Sequence, residues 1–173
     1  MGIAYRLGQF WQLVTAHPLS PEAWQEVATV LSPQELALFR RFDRADQQHS
    51  YRVLRTLRQA GHEDPDLLAA ALLHDIGKIH CRPQLWERVL GAILEKIAPR
   101  RARAWGAGDA RGWRRALAIR RQHPEWGSYL AQEAGSCALT IELIRRHQDE
   151  QLLSTDEHLH RLLAALQWAD NRN

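Results

Sequence analysis

The chain is predicted to be all-α, and three observations carry that prediction. Apolar residues recur three and four apart along most of its 173 residues, the period of a helix with one buried face. Ser20-Pro21 and Ser32-Pro33 each set a capping hydroxyl before a proline at the first helical position. No segment alternates apolar and polar residues as a half-buried strand does.

The elements follow in order. A first helix is expected near 3–15, then two near 21–30 and 33–42. The start at Ser32 completes a capping box with Glu35; the start at Ser20 does not, because Ala23 holds the equivalent place. A helix over 46–60 is stopped by Gly61. Asp64-Pro65 opens the next, which runs through Ala70-Ala71-Leu72-Leu73 into His74-Asp75. A helix near 84–97 puts Trp86, Val89, Leu90, Ile93 and Ile97 on one side. Residues 98–112 read as one long loop. Helices resume near 113–121, 125–134, 137–147 and 156–171, with Gly135 separating two of them and Ser154 or Thr155 capping the last.

The length suits one domain with a full hydrophobic core. No apolar run reaches the roughly 18 residues that span a bilayer. The start, MGIAYRLGQFWQLV, lacks a signal peptide's basic-then-apolar order, and Arg6 breaks the myristoylation pattern. Cys81 and Cys137 are too few for a disulfide framework. A cytoplasmic protein without a membrane partner is expected. The net charge of +3 is uneven. Residues 100–121 hold eight arginines against one acid, Asp109, so the rest of the chain is net acidic. Nucleic acid, a nucleotide or another phosphorylated ligand could use such a patch, and a solvated arginine-rich face explains it equally well; the partner expected is a small phosphorylated substrate, a nucleotide first, rather than nucleic acid.

Five polar positions share a further property. His147 follows Leu143 and Ile144, Asp170 follows Leu166, and His123 follows Ile119, each within one turn. His49 shares a stripe with Val53 and Leu57, and His74 with Ala70 and Ala71. Helical periodicity puts all five on or beside inward faces of five separate helices. One such histidine is more often a hydrogen-bonded core residue than a ligand. An aspartate near a core, however, costs several kcal/mol unless it is paired or bound to a cation, and a shared cation removes the cost for all five at once. His17, His62, His80, His158 and His160 lack the combination and are expected at the surface.

In that order, His49, His74-Asp75 and Asp170 resemble the HD superfamily of metal-dependent phosphohydrolases. The string His74-Asp75-Ile76-Gly77-Lys78 is characteristic of its HDIG branch. His123-Pro124-Glu125-Trp126-Gly127 with Leu130-Ala131 and Ala134-Gly135, Ile144-Arg145-Arg146-His147 and Ala169-Asp170 are similar to later motifs of that family. The resemblance covers 46–171, making 1–173 a single HD domain with 1–45 as an N-terminal helical extension. It implies a compact helical bundle with the metal site in its core. His49, His74, Asp75 and Asp170 would hold one metal, His123 and His147 would match the extra ligands of two-metal members, and Asp75 would bridge with one oxygen to each. Three departures argue against cyclic-di-GMP as substrate and against a third metal. His147-Gln148 stands where the HD-GYP phosphodiesterases have paired histidines, the GYP string is missing, and Ala45 stands where a third metal wants a glutamate.

Four imidazoles and two carboxylates suit two six-coordinate divalent cations, Fe or Mn first and Mg or Ni next, better than tetrahedral structural zinc. Such a pair would activate a hydroxide for in-line attack at phosphorus. Lys78, at i+4 from His74, could reach a phosphate oxygen; a lysine favourable to the helix dipole is the alternative, and the resemblance favours the former. Arg100, Arg101, Arg103, Arg114 and Arg115 could line a mouth for further phosphates, Arg145 or Arg146 could face the site, and Trp105 or Trp113 could stack a base. The function expected is hydrolysis of a nucleotide or other small phosphoester, with Asp75 and Lys78 as catalytic residues and Lys78, Arg114, Arg115 and Arg145 binding substrate. The alternatives are a non-catalytic nucleotide-binding or signalling module and a di-iron oxygenase.

Overall fold

The computed structural model describes residues 17–81, 84–109, 111–149 and 156–173. Among the described residues there are nine α-helices and no strand: α1 (Pro21–Val30), α2 (Pro33–Phe39), α3 (Arg44–Gln59), α4 (Pro65–Leu73), α5 (Leu85–Ile97), α6 (Pro99–Gly106), α7 (Arg115–Glu133), α8 (Ala138–Arg146) and α9 (Glu157–Asp170). Short 3-10 turns cover Ile76–Ile79 and Gly112–Arg114. The expected all-α class is the observed one. No helix among these is long and apolar enough to cross a membrane. The helix expected over 3–15 and the cap expected at Ser154 or Thr155 lie outside the described residues; α9 has Asp156 at its N-cap, accepting from the His158 and Leu159 N–H groups.

Capping chemistry explains most of the boundaries. The Ser20 and Ser32 hydroxyls accept from the Ala23 and Glu35 amides, and the Glu35 carboxylate returns to the Ser32 N–H at 2.9 Å. Asp43 caps α3 through the Asp46 amide, so α3 starts at Arg44, slightly before the apolar period implies. The middle of the bundle is α4, buried from Leu67 through Leu73. It packs against α1, α3, α8 and α9. A helix apolar all round belongs in such a position. One core runs through Phe39, Leu54, Leu57, Leu72, Leu143, Ile144 and Leu166.

The arginine-rich half departs from expectation in three ways. Residues 99–106 form α6 rather than loop. Pro99 sits at its first turn, alanine and arginine are good helix formers, and Ala102 is buried. One unbroken α7 replaces the two helices expected at 113–121 and 125–134, with Pro124 in its interior. Packing of α6, α8 and the Ile76–Ile79 turn against α7 carries the helix on through the missing N–H. Helix α5 forms as expected, but Trp86, Val89, Ile93 and Ile97 of its apolar side are exposed, while Glu87 and Gly91 face inward.

Gly77 sets how closely the 3-10 turn meets α7. A Cβ there would overlap the His123 carbonyl oxygen and come within 2.6 Å of the Gly127 nitrogen, both backbone atoms that cannot swing aside. We expect Gly77→Ala to destabilise the protein by about 1–3 kcal/mol or more, read as a fall in Tm. Gly91→Ala is the control, because a Cβ there meets only ordinary contacts, the nearest at 3.7 Å. It should leave Tm unchanged or raise it.

Candidate metal centre

Five segments bring the polar groups to one place. His49 lies on α3 and Asp170 is the last residue of α9. Helix α4 ends at Leu73, so His74 forms its C-cap and Asp75 opens the 3-10 turn, which sends two consecutive side chains inward. His123 comes from the middle of α7 and His147 from the C-cap of α8. His74, Asp75, His123 and His147 are buried. The His49 and Asp170 side chains keep 20% and 30% of their exposure, so the centre opens on their side.

Three of the imidazoles are oriented by one device. The Nδ1 of His74 lies 2.9 Å from the Ala71 carbonyl oxygen, that of His123 3.0 Å from Ile119, and that of His147 2.7 Å from Ile144. A carbonyl only accepts, so each Nδ1 carries the proton and donates. Each Nε2 is thereby left to point inward with a lone pair in the neutral ring.

Those nitrogens fall into two groups about Asp75. The ligand atoms of His49, His74 and Asp170 lie within 4.8 Å of one another, and so do those of Asp75, His123 and His147. Asp75 Oδ1 is 3.1 Å from His123 Nε2 and 3.9 Å from His147 Nε2. Its Oδ2 is 3.6 Å from His74 Nε2 and 3.9 Å from His49 Nε2. One carboxylate oxygen therefore faces each group. His49 Nε2 is 2.9 Å from Asp170 Oδ1.

The residues fit cations on two counts. His74 Nε2 is buried without a hydrogen-bond partner, 3.6 Å from both Asp75 Oδ2 and Asp170 Oδ1. His123 and His147 turn Nε2 on Nε2 at 3.3 Å, where two lone pairs repel unless a proton or a cation lies between them. An orphaned buried nitrogen costs about 1–3 kcal/mol, and a cation in each group would satisfy these atoms.

Electrostatics points the same way. Burial alone would push His74 down, but the Asp75 and Asp170 carboxylates outweigh it and raise it to about 9. His147 is depressed to about 3 by burial and by the neighbouring His74 and His123 rings. Burial opposes ionisation of Asp75, yet the Lys78 ammonium and the His74 and His123 rings hold it well below the usual carboxylate range. Asp170 is likewise depressed against its burial, by the His49 and His74 rings. The carboxylates demand positive charge at this point.

The remaining candidates are placed less uniformly. Lys78 is not on a continuing turn of α4; the 3-10 break brings its ammonium onto Asp75 Oδ2. Arg115 is ion-paired with buried Glu87 of α5. Arg114 is exposed, its guanidinium 5.3 Å from the centroid of Trp113. Arg145 meets Glu142 at 3.2 Å and Glu125 at 3.5 Å, and Arg146 meets Asp149 at 2.8 Å. Trp105 and Trp113 pack edge to face on each other, centroids 4.9 Å apart. His17, His80, His158 and His160 are exposed and His62 half-buried.

A cleft of about 710 Å³ opens beside the centre. His147 and Asp170 of the centre line it together with Arg145, with Pro99 and Ala102 of α6 and with Leu117, Arg120 and Arg121 of α7. Lys78, Arg114, Arg115 and the two tryptophans are not among its lining residues. Arg120 and Arg121 escaped the sequence reading as site residues. The signal was present, two arginines separated from His123 by Gln122 alone, but the helix expected over 113–121 ended before the histidine.

A family model described as HD domain matches residues 47–172. No curated protein and no solved structure gives a significant match.

Proposed function

This chain belongs to the HD domain family, a superfamily of metal-dependent phosphohydrolases, and we propose that it hydrolyses a nucleotide or other small phosphoester at the centre around Asp75. The observation that carries the reading is the buried, partnerless Nε2 of His74 set between two carboxylates. Asp75 Oδ2 with His49, His74 and Asp170 would hold one divalent cation, and Asp75 Oδ1 with His123 and His147 a second. The mixed nitrogen and oxygen donors suit Fe or Mn, with Mg or Ni next. Bound there, the cations would supply Lewis acidity and a water of lowered pKa.

The protein's own groups do the rest. The carbonyls of Ala71, Ile119 and Ile144 fix ring tautomer and direction, so the donors need no reorganisation when charge develops. Burial of His74, Asp75, His123 and His147 keeps bulk water off that side. Substrate enters past Asp170 and His147, where the cleft meets the centre. Lys78 balances Asp75 and would turn its ammonium to a non-bridging phosphate oxygen once a cation takes over Oδ2. Lys78→Gln should then lower kcat/KM about 10- to 100-fold, the worth of one charged hydrogen bond, without loss of metal.

A phosphoester panel with added Mn²⁺ or Fe²⁺ tests the function. Release of phosphate or of a nucleoside phosphate, lost in His74→Ala, supports hydrolysis. Oxygen consumption under mixed-valent iron conditions, or tight ligand binding with no turnover under any metal, would replace it with an oxygenase or a binding module.

A further inference from the structure

We propose that the outward face of α5, with the basic residues that follow it, docks on an anionic lipid surface. An apolar ridge and a one-sided charge around it carry the inference, which is independent of the hydrolase reading.

Large apolar side chains stand out on this face and almost nowhere else. Seven are exposed among the described residues, and five of them are Trp86, Val89, Ile93 and Ile97 of α5 and the nearby Trp113. Steps of three, four and four residues put the four of α5 on one ridge, about 16 Å long. The rotation of α5 has a polar cause. The Glu87 carboxylate accepts from the Gln84 N–H at 2.7 Å and pairs with Arg115 of α7. Gly91, a turn further on, is buried against α7. With Glu87 and Gly91 turned inward, the apolar side of the helix faces out. Single apolar residues on a surface are ordinary, but a continuous ridge marks a contact.

The charge around the ridge is one-sided. Residues 86–114 hold seven basic residues against three acids, and one of those acids is Glu87, neutralised by Arg115. Lys96 on α5 and Arg100 and Arg101 just past its end are exposed, and none of the three makes an ion pair among the described residues. The Glu87–Arg115 pair also draws the Gly112–Arg114 turn alongside the first turn of α5. There the Arg114 guanidinium lies 5.3 Å from the centroid of exposed Trp113.

Shape and charge choose the occupant. A second copy meeting this face about a two-fold axis would set one basic surface on another. A helical peptide partner is held in a groove, whereas these side chains keep 45–75% of their exposure and project from the surface. A lipid surface needs no groove. It takes an apolar ridge into the acyl boundary, seats tryptophan rings at headgroup level and draws Lys and Arg to anionic headgroups. The contact is interfacial, since no described helix is long and apolar enough to cross a membrane. The expectation of no membrane partner follows from the lack of a spanning run and does not extend to a surface contact.

Co-sedimentation of the full chain with vesicles tests the inference, using phosphatidylcholine alone and an equal mixture of phosphatidylcholine and phosphatidylglycerol. The wild type should bind the mixed vesicles about tenfold or more tighter than the neutral ones, with a blue shift of tryptophan emission, and added salt should weaken that binding. The Ile93→Ser, Ile97→Ser double variant should lose about tenfold or more of it at unchanged Tm, because both side chains are already exposed. The Lys96→Gln, Arg100→Gln, Arg101→Gln triple variant should lose the preference for anionic vesicles. No binding by the wild type, equal binding to the two compositions, or binding that both variants retain overturns the proposal. A dimer in solution that the serine substitutions disperse, with no vesicle binding, would assign the ridge to a second copy. Binding to polyglutamate but to neither vesicle would assign it to an acidic polypeptide.

Discussion

Asp75→Asn should abolish turnover and strip cations from both halves of the centre. The substitution keeps the shape of the side chain and removes its charge. In the wild type, Oδ1 faces His123 and His147 while Oδ2 faces His74 and His49. An amide can offer an acceptor to one group only, and its NH₂ then points at the other group's donors. Lys78 also loses the carboxylate it contacts. A loss of about a thousandfold or more in kcat/KM is expected, equivalent to ~4 kcal/mol of transition-state stabilisation. Steady-state kinetics beside metal analysis of the same preparation checks both parts. An active variant that keeps its cations would mean that Asp75 does not join the two groups.

The second large effect separates the halves. His147→Ala should leave about half of the metal content, because His123 and Asp75 Oδ1 alone make a poor site, whereas His49, His74, Asp170 and Oδ2 stay complete. His74→Ala should do the converse. Both variants should lose at least about a hundredfold in kcat, since an in-line displacement needs both attacking and leaving oxygens stabilised. His147→Gln controls for the cavity that alanine leaves in a buried position. Loss of all metal in every one of these variants would show that the two groups bind cooperatively as one unit, contrary to the division the distances draw.

Much of this was legible in the sequence because it rests on local rules. Ser20 and Ser32 announce their helices through hydroxyls that accept N–H bonds three residues on. The five polar positions on inward stripes follow from the helical period alone, and all of them meet at the centre. What escaped depends on tertiary contact. Nothing local says that Arg115 pairs with Glu87, 28 residues away. The arginines of 99–106 read as loop because charge hides the helix propensity that one buried alanine, Ala102, converts into packing. The gap expected between 121 and 125 does not form, because packing carries α7 on through Pro124. Lys78 reads as one turn beyond His74 because the 3-10 break after Leu73 exists only to let Gly77 approach the backbone of α7.

Anomalous diffraction from crystals grown with Mn²⁺ or Fe²⁺ tests the central claim most directly. Two peaks about 3.5–4 Å apart, one on each side of the Asp75 carboxylate, are the expected result. A single peak, or metal bound away from His74 and His123, would contradict it.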